Sequence, residues 1–245
     1  MTNLATEAAL GKVALDGLDT QMINISKSHY VPNEKVHLAL SNGWEKAVDH
    51  YLEDGILSAE EESQLTSFSD RFSLKQDDLD NKGMYTRFVR AGVLRDLTEG
   101  KVPQRIRVSG QLPFNLQKAE TLIWVFPDVA YYEDKKRRHF VGGTHGVSIR
   151  IAKGVYYRVG AFRGQPVETT ERVHMGTGVL GVTNKHLYFA GGQKSIRIKY
   201  DKIVSYIPFD DGIGIHRDAS TAKPQVFVTG DGWFTYNLVM NAQNI

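Results

Sequence analysis

The densest group of functional side chains in the sequence is a run of four cations after Tyr131-Tyr132, in a segment expected to be a loop. Clustered lysines and arginines near an anionic membrane contribute on the order of 1 kcal/mol each. The run therefore heads the candidate anion- or partner-binding residues, which are Lys135, Lys136, Arg137, Arg138, Arg197 and Lys199. A solvated hairpin tip, or a surface that docks onto the acidic helical part of the same chain, is the simpler explanation of the run.

Nucleic acid is a weaker interpretation of the basic residues. Aromatic and cationic residues interleave at Tyr156-Tyr157-Arg158 and at Arg197–Tyr200, a pattern that stacks bases and neutralises phosphates. However, residues 104–245 carry a net charge of only +8, and no nucleic-acid-binding motif is present. Composition thus disfavours a dedicated nucleic-acid binder.

Metal and cofactor sites find little support in the sequence. None of the eight histidines forms an H-x-x-x-H or H-E-x-x-H pair. Asp78–Gly83 resembles the start of an EF-hand loop, but Lys82 stands where a ligand oxygen belongs and the twelfth position is Val89. We expect Asp77–Gly83 to form a turn and a helix cap, and we expect no cofactor.

Catalytic motifs are equally sparse. Gly142–Gly146 is glycine-rich, but it matches neither the Walker pattern nor a dinucleotide-binding loop, so we expect a turn. There is no nucleophile elbow, and the chain has no cysteine. An enzyme whose site is assembled from loops remains the third functional hypothesis.

Charge divides the 245-residue chain into two parts. Residues 1–103 have a net charge of −6, and residues 104–245 have +8. The change coincides with a change in hydrophobic periodicity, which predicts an acidic helical module over 1–103 and a basic β-rich region over 104–245. No apolar run reaches the length of a membrane span and no signal peptide is evident, so we expect a cytoplasmic protein.

The helical part is predicted from caps and apolar spacing. Residues 2–18 favour a helix interrupted by glycines, and Asn33 is a candidate N-cap for a helix that ends at Gly55. Ser58 and Glu61 form a capping box. The segment Tyr51–Glu62 is weakly similar to the helical hairpin of small bacterial TerB-like modules.

The second part alternates with period two. Strand signals begin at Gln104–Val108, and Leu122–Phe126 is followed by a predicted turn at Pro127-Asp128. Ile196, Ile198 and Tyr200 place one apolar face against charged neighbours. The period then changes, since Asp231 is positioned to cap a short aromatic helix that buries its apolar face.

The stretch Gly178–Phe189 (GVLGVTNKHLYF) resembles the "G-x-L-x-x-T-N-K-R-L-x-F" hairpin of pleckstrin-homology-like domains in their bacterial PH and GRAM-like versions. Lys202-Ile203 and Asp231–Gln243 stand in the places of that family's later strand and final helix. His186 replaces the arginine that the family often has, which weakens the case for a phosphate contact. The resemblance, clearest over 178–243, implies a small barrel closed by a C-terminal helix.

We therefore predict an α+β protein in which a helical module precedes a PH-like barrel. The leading functional hypothesis is a non-catalytic bacterial or phage adaptor that binds a protein partner through this domain. Phosphotyrosine-binding relatives of the superfold bind peptides by strand addition beside the last helix, so the predicted partner groove contains Trp233, Phe234 and Tyr236. Peripheral binding of anionic membrane lipids through the basic loop is the alternative.

Overall fold

The structure of the protein, a computed structural model, describes residues 1–53, 55–152, 155–219 and 222–245, with side chains described outside 136–169. Two compact units are present. The first comprises Met1–Val125, Gly181–Lys185 and Asn237–Ile245, and the second comprises Phe126–Leu180 and His186–Tyr236. The described residues combine helices with an antiparallel sheet, so the predicted α+β class is confirmed.

Helices of the first unit enclose an aromatic core. Trp44 is 1% exposed and packs edge-on against Phe88, with ring centroids 5.4 Å apart. Its indole Nε1 donates to the backbone oxygen of Leu65 at 3.0 Å, so its only polar atom is satisfied. The helices of this unit are α1 (Thr2–Ala9), α2 (Leu18–Ser28), α3 (Asn33–Tyr51), α4 (Ala59–Arg71), α5 (Gln76–Leu79) and α6 (Met84–Thr98).

Local caps set several helix ends. Glu61 N donates to Ser58 Oγ at 3.2 Å, and Ser58 N donates to Glu61 Oε2 at 2.9 Å, which confirms the predicted capping box of α4. Near the N-terminus the glycines have a larger effect than the sequence indicates. Gly11 and Gly17 adopt φ of +71° and +81°, which is incompatible with a continuing helix, so α1 ends at Ala9 and α2 begins at Leu18.

The predicted strand at Gln104–Val108 is wrong, since residues 101–121 contain no strand. Arg105 instead reaches back to the helices: its Nε donates to Asp96 Oδ2 at 2.5 Å, and its Nη1 bonds Glu62. Glu62 also accepts from Arg95, so two cations and two carboxylates form one half-buried network. Charge pairing in this network thus overrides the local period-two pattern.

Seven strands in the described part form one antiparallel sheet with the order β4-β3-β2-β1-β7-β6-β5. The first strand joins the last three because β1 pairs with β7, with Tyr131 opposite Phe227. The strands are β1 (Leu122–Ala152), β2 (Val155–Thr183), β3 (His186–Gly191), β4 (Ser195–Lys199), β5 (Ile203–Phe209), β6 (Gly212–Arg217) and β7 (Gln225–Val228).

The predicted turn at Pro127-Asp128 is also wrong, because β1 continues through it. Asp128 adopts φ of +53°, a left-handed conformation that aspartate tolerates better than most residues. Pro127 and Asp128 are both exposed, whereas Phe126 and Val129 on either side are buried. This break in alternation is what a bulge-like irregularity produces within a strand.

The final helix α7 (Gly232–Ala242) follows β7 as predicted. Asp231 Oδ1 accepts from the backbone N of Phe234 at 3.0 Å, which confirms the predicted N-cap. Phe234 lies 5.9 Å from Phe126 between ring centroids. Within the second unit, the first turn of α7 therefore packs on the buried face of β1.

Candidate functional site

Strand β5 lies at one edge of the sheet and differs in character from the opposite edge. Its sequence, Ile203–Phe209 (IVSYIPF), contains no charged residue. Strand β4 at the other edge presents exposed Arg197 and Lys199. Charged side chains, prolines and bulges on an edge strand all discourage pairing with another chain. Strand β4 has the charges, whereas β5 has Pro208 and a register shift near its start but no charge.

Apolar side chains on β5 face solvent. Val204 is 68% exposed and Ile207 is 38% exposed. The pairing of β5 with β6 shifts register between Ile203 and Ser205, so the strand is irregular at the exposed valine. Val204, Ile207 and Trp233, which is 63% exposed, are together called the β5 patch.

The start of α7 is fixed beside the end of β5. Gly232 N donates to Asp210 O at 3.1 Å, in the turn that follows Phe209. A Cβ at Gly232 would lie 1.8 Å from Phe209 O, so only glycine fits this close approach. The next residue is Trp233, so its backbone is held near the C-terminal end of the edge strand.

Pro208 fits an edge strand and no other place in this sheet. Phe209 and Gly212 face each other across the two-residue turn Asp210-Asp211, so alternation directs the backbone of Pro208 away from β6. Proline has no N–H, and an outward position on an edge costs no ladder hydrogen bond. Two positions earlier, the backbone of Tyr206 has the same outward direction.

A buried polar chain crosses the interior of the second unit. Gln225 Nε2 donates to Tyr131 Oη at 2.6 Å, and Tyr131 Oη donates to Glu133 Oε1 at 2.5 Å. Lys194 Nζ forms an ion pair with the same carboxylate and lies 5.6 Å from the centre of the Tyr131 ring. The chain thereby links β1, β7 and the turn between β3 and β4.

The protonation states of Tyr131 and Glu133 in this chain of hydrogen bonds are unsuited to proton transfer near neutral pH. Burial, reinforced by Glu133, raises the pKa of Tyr131 well above its ordinary value. Burial alone would raise the pKa of Glu133, but hydrogen bonds from Lys194 and Tyr131 lower it below its ordinary value. The phenol therefore stays protonated and the carboxylate stays ionised, whereas a general acid or base needs a pKa near the working pH. The arrangement is suited to fixing the interior of the sheet.

The cations predicted to bind an anion or a partner lie on two different strands, β1 and β4. Lys135 is half-buried and lies within β1, so the expected loop is wrong at this residue. The side chains of Lys136, Arg137 and Arg138 lie outside the described residues, but their backbone belongs to β1, so the expected loop is wrong there too. The turn expected at Gly142–Gly146 is wrong for the same reason, because β1 runs through it. Arg197 and Lys199 project from β4, and Lys199 pairs with Asp201 at 2.7 Å.

The predicted groove on α7 is divided between core and surface. Phe234 is 1% exposed, so it packs in the interior and offers no surface to a partner. Tyr236 is half-buried, and Trp233 is exposed. Val204 and Ile207 were not predicted as site residues. The signal in the sequence that could have indicated them is the uncharged run Ile203–Phe209 between Lys202 and Asp210.

Comparisons of the chain with protein-family models, with curated proteins and with solved structures found no match. Within the described ranges, no three histidine or acidic side chains converge as a metal site would require. The same ranges contain no helix that is both long enough and apolar enough to cross a membrane.

Proposed function

We propose that the protein is a non-catalytic bacterial or phage adaptor, cytoplasmic, whose β-rich region contains a PH-like domain that binds an extended segment of a partner protein at the β5 edge. The observation that carries the proposal is the uncharged edge strand β5, on which Val204 and Ile207 are exposed. The described antiparallel sheet followed by a helix is consistent with the PH-like resemblance.

Strand addition supplies the physical basis for binding. An extended peptide beside an edge strand forms main-chain hydrogen bonds, and its alternate side chains contact the host surface. On β5 the exposed side chains of Val204 and Ile207 offer apolar contacts to such a segment. Covering a side chain such as Val204 contributes about 1.5 kcal/mol or more, depending on the area removed from water.

The non-catalytic part of the proposal is supported by the protonation states described above. The buried chain through Tyr131 and Glu133 holds both groups in their ordinary charge states at neutral pH. Anionic-membrane binding through Lys135–Arg138 remains the alternative proposal, and the test below includes it.

A displayed library of random peptides, selected against the full chain, tests the proposal. We expect the selected peptides to bind the wild-type protein and to lose binding to a Val204→Glu, Ile207→Glu double variant. Both positions are solvent-exposed, so the double variant is expected to fold, and circular dichroism with a thermal melt checks this. The matched control is Arg197→Glu on the opposite edge strand β4, which should retain binding.

The outcomes are distinct. Peptides that bind the double variant as well as the wild type would overturn the β5 edge as the site. Salt-sensitive sedimentation with phosphatidylserine vesicles but not with phosphatidylcholine vesicles, in the absence of selected peptides, would favour the membrane alternative instead.

A further inference from the structure

We propose that the segment bound at the β5 edge lies antiparallel to β5 and carries a cation at its N-terminal end and an anion at its C-terminal end. This inference rests on the proposed function and adds the charge pattern and direction of the partner. It follows from the charges at the two ends of an edge strand that has none in between.

The C-terminal end of β5 is negative. Asp210 and Asp211 are both exposed in the turn that follows Phe209. Their backbone oxygens hold the turn in place, because Asp210 O accepts from Gly232 N and Asp211 O accepts from Thr229 N at 2.8 Å and from Gly230 N at 2.9 Å. The two carboxylates therefore stand on a fixed loop beside the β5 patch.

A cation beside this end is already paired. The guanidinium of Arg172 lies 5.3 Å from the centre of the Phe209 ring, and its Nε pairs with Asp134 Oδ1 at 3.1 Å. Arg172 and Asp134 together contribute no net charge. Among the residues whose side chains are described, neither Asp210 nor Asp211 has an ion-pair partner, so the turn presents both carboxylates to a segment lying along β5.

The N-terminal end of β5 is positive. Lys199 and Asp201 pair with each other at 2.7 Å. Arg217, opposite Ile203, and Asp218, whose N donates to Lys202 O at 2.8 Å, carry opposite charges, so the exposed Lys202 is left as the net charge at this end. Seven residues separate Lys202 from Asp210, so eight steps of about 3.3 Å place the two ends roughly 26 Å apart. That distance exceeds the screening length of about 8 Å at physiological salt, so each end recognises its partner charge independently.

The direction follows from the sheet. Every strand pair with a described register is antiparallel, and an added strand that continues this pattern places its N-terminal end over Asp210-Asp211. A cation there and an anion near Lys202 satisfy both ends of the site. A parallel segment would need the reverse order of charges along its own chain, so the two directions can be distinguished.

A displayed library with a fixed core tests the inference. The core alternates valine and threonine over seven residues, and the two residues at each end are randomised. We expect lysine and arginine to be enriched at the N-terminal end in selections on the full chain. The best peptide should bind an Asp210→Asn, Asp211→Asn double variant about two- to thirty-fold more weakly, since each exposed ion pair contributes modestly. Asparagine suits the same turn, so the fold should be kept.

Lys202→Met is the matched control, because it should affect only the preference for acidic residues at the C-terminal end. Binders that depend on Val204 but show no charge preference would overturn this inference and leave the proposed function standing. Cations enriched at the C-terminal end would overturn the antiparallel direction. An absence of binders that depend on Val204 would overturn the proposed function, and this inference with it.

Discussion

Thr183 Oγ1 donates a 2.6 Å hydrogen bond to Glu120 Oε1, and both residues are buried although 63 positions separate them. The neighbouring Asn184 exchanges two further bonds with Thr121, one through its backbone N at 3.1 Å and one through its side-chain oxygen at 2.9 Å. Within the first unit, the turn after β2 thus holds the segment before β1. The Thr-Asn-Lys motif has a structural role here.

Replacing Thr183 by valine should destabilise the protein by about 1–3 kcal/mol, because a buried carboxylate loses a donor. Gln117 N also donates to Glu120, at 2.7 Å, but to the other carboxylate oxygen, Oε2. Thr183→Ser keeps the hydroxyl and is the control. Urea denaturation measures both variants, and a valine variant as stable as the serine variant would show that this hydrogen bond contributes nothing.

The ion pair between Lys194 and Glu133 should contribute more than a surface pair. The carboxylate side chain is 9% exposed, and removing its cation leaves a buried charge with fewer partners. We expect Lys194→Met to cost about 1–3 kcal/mol, and we expect the cost to be non-additive with Glu133→Gln.

The control for Lys194 is Lys199→Met, whose pair with Asp201 has side chains 59% and 51% exposed. That change should cost less than about 1 kcal/mol. Additive costs for Lys194→Met and Glu133→Gln in a double-mutant cycle would contradict a direct interaction in solution.

The network around Arg105 predicts a loss of stability in acid. Burial alone would raise the pKa of Glu62, but hydrogen bonds from Arg105 and Arg95 lower it below its ordinary value of 4.5. Because the folded-state pKa is depressed, this stabilisation is present above pH 4.5 and is lost as the pH falls through the folded-state value.

Unfolding free energies measured by urea denaturation between about pH 6 and 3 check this prediction. The Glu62→Gln variant should lose less stability over that range than the wild type. Glu60→Gln, at an exposed position of the same helix, should follow the wild type. Parallel curves for the wild type and Glu62→Gln would count against the ion network.

Gly178 is a position where any side chain should be costly. A Cβ there would lie 2.2 Å from the backbone oxygen of Ala190, and the backbone of β3 cannot move aside as a flexible side chain could. Gly178→Ala should destabilise the protein by about 1–3 kcal/mol. Gly192→Ala, where a Cβ would meet nothing within 4 Å, is the control. Equal melting temperatures for the two variants would refute the close approach.

Local signals predicted the features that depend on neighbouring residues. The capping box at Ser58 and the N-cap at Asp231 involve partners three positions away, so the sequence contains all the information. Arg105 lies outside any strand and bonds Glu62, 43 positions earlier in the sequence. A local periodicity contains no information about such a distant bond. The continuation of β1 through Asp128 likewise depends on backbone strain that the surrounding sheet stabilises.

The candidate site was only partly predictable for the same reason. Trp233 was named from the sequence because aromatic residues stand out near a helix start. Val204 and Ile207 are candidate site residues only because β5 lies at the edge of the sheet. The sequence of a single strand does not determine its place in the strand order. Phe234 is aromatic, as a groove residue often is, but its position in the helical period directs its side chain into the core.

The affinity of one selected peptide for two proteins tests the central claim most directly. Fluorescence polarisation with the strongest peptide from the random library should give a dissociation constant at least about tenfold higher for Val204→Glu than for the wild type, since the variant places a charge where an apolar contact forms. The value for Arg197→Glu should stay within about twofold, because exposed pairs contribute little. Equal affinities for the wild type and Val204→Glu would contradict binding at the β5 edge.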